Sequence, residues 1–204
     1  LVTHAHVDHI GDAPAIAKLN NIKLYGPADM VTPLITLGLI PAELGHRFNK
    51  SGSVQPAAGI KVTAVHAEHS SVYVWNNPET KKAETHRAGA AVGFIIELEN
   101  VFKIWHMGDT GLFADMKFIA DDDKPDLVLM PIGGNFTMGP QEAAYAAREL
   151  IRVSHIIPMP YGANPPAKGT PAQFLTFMKD SCKASHCLIV NAGTPLNSLL
   201  RPNL

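Results

Sequence analysis

Cysteine is scarce in this chain: 204 residues hold two, Cys182 and Cys187. That excludes a disulfide scaffold and a zinc site built from four thiolates. Charge of one sign is missing as well. Seventeen Lys and Arg against eighteen Asp and Glu leave a net charge of −1, which argues against a general nucleic-acid surface or a polybasic membrane contact. No apolar run approaches the roughly 18 residues needed to span a bilayer. There is no G-x-S-x-G, no Walker lysine loop and no G-x-G-x-x-G, so the enzyme classes those motifs serve lack support. An initiator methionine is absent too. Leu1-Val2-Thr3 runs into a dense polar motif with no turn or cap before it, and the expectation is the end of a strand whose beginning lies outside the chain.

What remains describes a folded globular protein, 46% hydrophobic and 17% charged, of a length that suits one domain. Short apolar runs alternate with helical patterns. Ile22–Tyr25, Ile60–His66, Ala91–Leu98, Val101–Trp105, Leu127–Pro131, His155–Met159 and Cys187–Val190 read as strands. Helices are expected over 12–20, 28–37, 140–152 and 171–180. Thr170-Pro171-Ala172-Gln173 is a capping box with proline at the first helical position. Pro140 opens another helix in the same way, and Gly38 reads as a stop. The polar stretch from Asn76 to Arg87 reads as an exposed loop. Adjacent strand pairs mixed with strand–helix alternation point to a layered α/β domain with a mixed sheet.

Ten histidines in a neutral chain are the anomaly. Three of them fall in Thr3-His4-Ala5-His6-Val7-Asp8-His9, together with a carboxylate. Positions 4 and 6 share one face of an extended segment, because strand periodicity is two. Imidazole nitrogen with carboxylate oxygen suits zinc, and also manganese, iron or nickel. The competing reading is a histidine-rich loop without metal. Further donors are expected at later strand ends. His66-Ala67-Glu68-His69-Ser70-Ser71 follows one apolar run, and His106-Met107-Gly108-Asp109-Thr110-Gly111 follows another. Gly108 would let the backbone pass close to a metal.

These motifs resemble those of a known family. His4-x-His6-x-Asp8-His9, His69 and Asp109 look like the successive metal motifs of the metallo-β-lactamase superfamily. Asp12-Ala13, His69-Ser70-Ser71, Gly108 to Phe113, Pro131-Ile132-Gly133, Asn135 to Pro140 and Ile157-Pro158-Met159 resemble the metal-dependent hydrolases related to ascorbate-6-phosphate lactonase. The resemblance implies an αββα sandwich, one domain over 1–204 that lacks its N-terminal strands. It also implies His4, His6 and His69 on one metal, Asp109 bridging, and Asp8, His9 and Asp109 on a second. The family pattern after Ile157-Pro158-Met159 continues with a histidine that completes the second site. This chain has Pro160-Tyr161 there, and proline has no side-chain donor. A weakened second site is therefore expected.

Other histidines have simpler explanations. His66 alternates with Ile60, Val62 and Ala64, so a hydrogen-bonded core histidine is expected. His106 reads as an orienting neighbour of the ligands. His155 starts a strand, and His46, His86 and His186 read as surface or strand positions. Buried free thiols are the simplest reading of the two cysteines.

The function implied is metal-dependent hydrolysis, in which metal-bound hydroxide attacks a small ester, lactone or phosphoester. Asp8 would orient the nucleophile or pass a proton to the leaving group. Asn135 and Thr137, with Phe136, would line the substrate pocket, unless they only cap the following helix. One or two divalent cations are expected, zinc or manganese first. The partner is a small-molecule substrate, with no nucleic acid or membrane, in the cytoplasm, and homo-oligomers fit this reading. The alternative is a degenerate metal-binding protein whose catalysis is impaired by Pro160.

Overall fold

A computed structural model describes residues 1–162, 166–178 and 189. They fall in two compact units, Leu1–Gly111 and Leu112–Leu204. In the first, an extended N-terminal segment leads into a single helical turn, α1 (Val7–Ile10), and then α2 (Ala13–Asn20). There follow β1 (Leu24–Pro27), α3 (Ala28–Thr36), β2 (Gly45–Phe48), β3 (Ser53–Ala57) and β4 (Ile60–His66). The unit closes with β5 (Val72–Asn76), β6 (Ala83–Arg87), β7 (Val92–Glu97) and β8 (Lys103–His106). Strands β3, β4, β7 and β8 are neighbours in that order and antiparallel throughout. β1 pairs with β2 in parallel, and β5 with β6 as a hairpin.

Side-chain period places the core. Val62 and Ala64 on β4 turn to the same face and pack with Val92 and Phe94 of β7. A second cluster gathers Met30, Val31 and Leu34 on one face of α3 with Val2, Ala5 and Ile10 from the N-terminal segment. That segment is not itself a strand. It is held between elements instead: Val2 N–H donates to the Tyr25 carbonyl at 3.0 Å, and Thr3 accepts from Val92 N–H at 3.1 Å. The chain entering the histidine motif is thereby tied to both β1 and β7.

The second unit runs α4 (Met116–Asp123), β9 (Leu127–Met130), α5 (Pro140–Tyr145), a π-helical turn (Ala146–Ile151), β10 (His155–Pro158) and α6 (Pro171–Met178). β9 and β10 are parallel. Thr170 and Gln173 exchange the reciprocal bonds of the capping box, 3.0 Å from the Thr170 amide and 3.3 Å from the Gln173 amide. The Gly139 amide donates to Glu142 at 3.1 Å, and Gly38 ends α3 with φ +70°.

Several sequence expectations need correction. Asn76–Arg87 is not simply a loop, because Ala83–Arg87 pairs along its length with Val72–Asn76. Ala83, Thr85 and Arg87 are its exposed positions, and Glu84 and His86 are half-buried. The helix expected over 140–152 is α-helical only to Tyr145 and then widens into the π turn. β2, β3 and α4 were not expected: β3 alternates polar with half-buried positions around Pro56, and α4 ends in three aspartates. His66 is not a core residue. It is half-exposed, between Lys50 Nζ at 3.4 Å and Glu68 Oε2 at 3.2 Å. Cys187–Val190, Cys182, His186 and Arg201 lie outside the described residues, Ile189 excepted.

Candidate metal centre

Three segments of the first unit carry the donors. One is the tethered N-terminal segment with α1. The others are the turn after β4, holding Glu68 and His69, and the turn after β8, holding Gly108 and Asp109. Gly108 is required where it stands. Its φ is +67°, and a Cβ there would lie 2.9 Å from the Val92 carbonyl oxygen and 3.2 Å from Thr3. This is a packing and conformational demand; the close approach is to Thr3 and β7.

The histidines converge. His4 is fully buried, and its Nε2 lies 3.0 Å from His6 Nδ1, which is also 3.2 Å from His69 Nε2. His9 Nε2 stands 3.3 Å from Asp109 Oδ2, and His69 Nε2 is 3.8 Å from the same oxygen. Two donor triads result, His4/His6/His69 and His4/His9/Asp109, each with donor atoms within 4.8 Å of one another. His4 belongs to both. A neutral imidazole has one N–H and one lone pair, so His6 Nδ1 meets two ring nitrogens with a single N–H or a single lone pair. Asp109 Oδ1 is buried with no partner. A divalent cation, which takes lone pairs from imidazole and carboxylate, fits both features.

Protonation follows the same geometry. Burial, then the neighbouring His9, pushes His4 down to about 3, so the ring is neutral and its lone pair available at pH 7. Burial opposes charge on Asp109 too, but the hydrogen bond and charge of His9, with His4 and His69, hold it below the usual carboxylate range. Burial likewise lowers His9, yet Asp109 and Asp8 outweigh it and leave His9 above its ordinary value. His106 is lowered, chiefly by burial, and its Nδ1 accepts the Gly108 amide at 3.1 Å.

Of the residues singled out from the sequence, His4, His6, His9, His69 and Asp109 are brought together. Asp8 is not in either triad; its carboxylate is largely exposed, 3.7 Å from His9 Nε2. The second triad thus contains His4 where the resemblance implied Asp8. Asn135, Thr137 and Pro160 belong to the second unit. Asn135 has φ +62°, Thr137 Oγ1 donates to the Met138 carbonyl at 3.3 Å, and Pro160 is exposed. Sequence reading gave no role to Thr3, Ser71 and Thr110, whose buried hydroxyls contact the ligand-bearing segments. Their position within one or two residues of a donor was the available signal.

Among the described residues no helix is long and apolar enough to cross a membrane. Residues 1–159 match the model of the beta-lactamase superfamily domain. A UPF0173 metal-dependent hydrolase from Polynucleobacter asymbioticus is 69% identical over 181 residues, 89% of this chain and 64% of that protein. The chain therefore spans less than two thirds of that relative's length. A UPF0173 metal-dependent hydrolase from Roseiflexus is 38% identical over 90% of this chain and 70% of its own length. Among solved structures, Igni18, a metallo hydrolase from Ignicoccus hospitalis, superposes with a TM-score of 0.76 at 29% identity, covering 95% of this chain and 76% of that one. Fold and sequence agree: this chain belongs to the beta-lactamase superfamily, in its UPF0173 metal-dependent hydrolase group.

Proposed function

We propose that this chain is the metal-binding part of a hydrolase acting on a small ester, lactone or phosphoester. The observation that carries the reading is the pair of triads sharing His4, with five donors converging from three segments. A divalent cation held there would polarise a carbonyl or phosphoryl oxygen and lower the pKa of water to about 7. His4, His6 and His69 would hold it as neutral imidazoles, and Asp109 with His9 would offer the adjoining donors. Asp8 is solvent-exposed beside His9, where it can orient an attacking water and pass a proton to the leaving group. Relatives and structural neighbours named as metal-dependent hydrolases support the reading.

The finer assignments follow from chemistry. An imidazole-rich set with one or two carboxylates favours zinc, then manganese. The resemblance to ascorbate-6-phosphate lactonase favours a small anionic compound. Asn135 and Thr137 are proposed as substrate contacts. The near-neutral charge fits a small-molecule substrate, not a nucleic acid, and a cytoplasmic location is proposed with it. Pro160 favours a second reading, in which the second site is weak and catalysis is impaired. One experiment tests both: metal analysis of the purified chain, with lactone and phosphodiester hydrolysis assayed with and without added zinc or manganese. Hydrolysis that needs the cation and is lost in His4→Ala supports the first reading. A chain that binds zinc but is inert with every cation, and gains hydrolysis in Pro160→His, supports the second. Absence of bound or bindable metal overturns both.

A further inference from the structure

The donors come from three chain segments that are distant in sequence, so something must hold these segments in register. Backbone hydrogen bonds tie the N-terminal segment to β1 and β7 only as far as Thr3, and the donors lie beyond them, in that segment with α1 and in the turns after β4 and β8. Two buried hydroxyls lie at the joins. Thr110, 1% exposed, accepts the Glu68 amide at 2.9 Å and donates to the Gly111 carbonyl at 2.8 Å. The Gly111 amide in turn donates to the Glu68 carbonyl at 2.8 Å. This reciprocal clamp lies directly between Asp109, which precedes Thr110, and His69, which follows Glu68. Ser71, 7% exposed, makes the other join. It accepts the Ala5 amide at 3.1 Å, between His4 and His6, and donates to the Ala88 carbonyl at 3.3 Å. Ala88 N–H returns a bond to the Ser71 carbonyl at 3.2 Å.

We infer that Thr110 and Ser71 are positioning residues that clamp the three donor segments together, so that the cation site is preformed. Thr110 sets His69 against Asp109, and Ser71 sets His69 against His4 and His6. The consequence is energetic. Ligand atoms must lie within about 0.2 Å of their ideal distances for full affinity, and groups that orient ligands are worth 10–100-fold in affinity, as a rough scale. Removing the Thr110 hydroxyl also takes away the acceptor of the Glu68 amide, so the turn bearing His69 loses one of its two bonds to the turn bearing Asp109. The four bonds named above join the hydroxyls to backbone groups. Ser70, whose Oγ is 3.5 Å from His6 Nε2 on the exposed side, has no such role.

This inference rests on the cluster being a cation site, and the test separates the two. Zinc affinity is measured on the full chain by competition with a chromophoric chelator. The set is wild type, Thr110→Val, Thr110→Ser and Ser71→Ala, with cooperative unfolding checked for each. Thr110→Val, close in shape but without the hydroxyl, is expected to bind zinc about tenfold more weakly or worse. Ser71→Ala is expected to do the same, and Thr110→Ser to stay near wild type. Cobalt-loaded protein supplies a signature that loss of stability alone would not move: its visible absorption bands should shift in Thr110→Val and not in Thr110→Ser. Wild-type affinity in Thr110→Val and Ser71→Ala, or equal loss in Thr110→Val and Thr110→Ser, overturns the positioning role. Should Thr110→Val fail to fold, Ser71→Ala decides by the same criterion. A wild-type chain that binds no zinc overturns the site itself, and the inference with it.

Discussion

Replacing Gly108 by alanine should damage both the fold and the candidate centre, by an amount the structure sets. Two costs add. At φ +67° an L-residue pays about 1–2 kcal/mol for the left-handed conformation. The new Cβ would also sit 2.9 Å from the Val92 oxygen and 3.2 Å from Thr3 Cβ and Cγ2, and overpacking of this kind costs about 1–3 kcal/mol. Neither neighbour is free to retreat, because Val92 N–H is bonded to the Thr3 carbonyl at 3.1 Å. Gly38→Ala is the control: its φ is +70° with nothing within 4 Å of the added atom, so it pays the conformational cost alone. For a chain of this size each kcal/mol is worth about 2–4 °C of melting temperature. Thermal unfolding of the two variants in chelator should therefore place Gly108→Ala about 2–12 °C below Gly38→Ala. Zinc affinity should fall in Gly108→Ala as well, since a displaced Thr3 disturbs the 3.1 Å contact between its Oγ1 and His4 Nδ1. Equal melting temperatures would refute the crowding argument.

Other perturbations follow from the same geometry. Zinc at about a hundred times its dissociation constant should stabilise the chain by about 2.7 kcal/mol, seen as a rise in melting temperature that chelator reverses; no rise would refute cation binding to the folded state. Metal analysis should find one tightly held equivalent in wild type; two tight equivalents would contradict the weakened second site. In chelator, urea unfolding across pH 5–8 should show two opposed trends. His4 is held near 3 against an ordinary 6.5, so its contribution is present above pH 6.5 and lost as pH falls below it. His9 is raised above 6.5, so its contribution is present below pH 6.5 and lost as pH climbs through the raised value. His4→Gln should abolish the acid-side loss, and an unchanged acid slope in that variant would refute the assignment.

The N-terminal histidine motif stood out because its signal is local. Three histidines and an aspartate in six residues need no tertiary context to suggest a cation. The capping box before α6 was legible for the same reason, satisfied within four residues. The β5–β6 hairpin was not, because a polar ribbon and a polar loop have the same composition until their strands are seen to pair. His66 misled through period alone: it keeps the parity of Val62 and Ala64, yet it ends β4 where Lys50 and Glu68 can reach it.

Residue type and spacing determined the donor inventory, the mixed α/β class, and the absence of a donor at Pro160. Tertiary structure decided which donors meet. It placed His4 in both triads and left Asp8 facing solvent, because the direction of each side chain depends on where α1 begins and on the tethers to β1 and β7. Thr110 and Ser71 acquire their clamping role only when residues 42 and 66 positions apart become neighbours. Nothing local encodes that: a hydroxyl's partner is chosen by the fold that buries it.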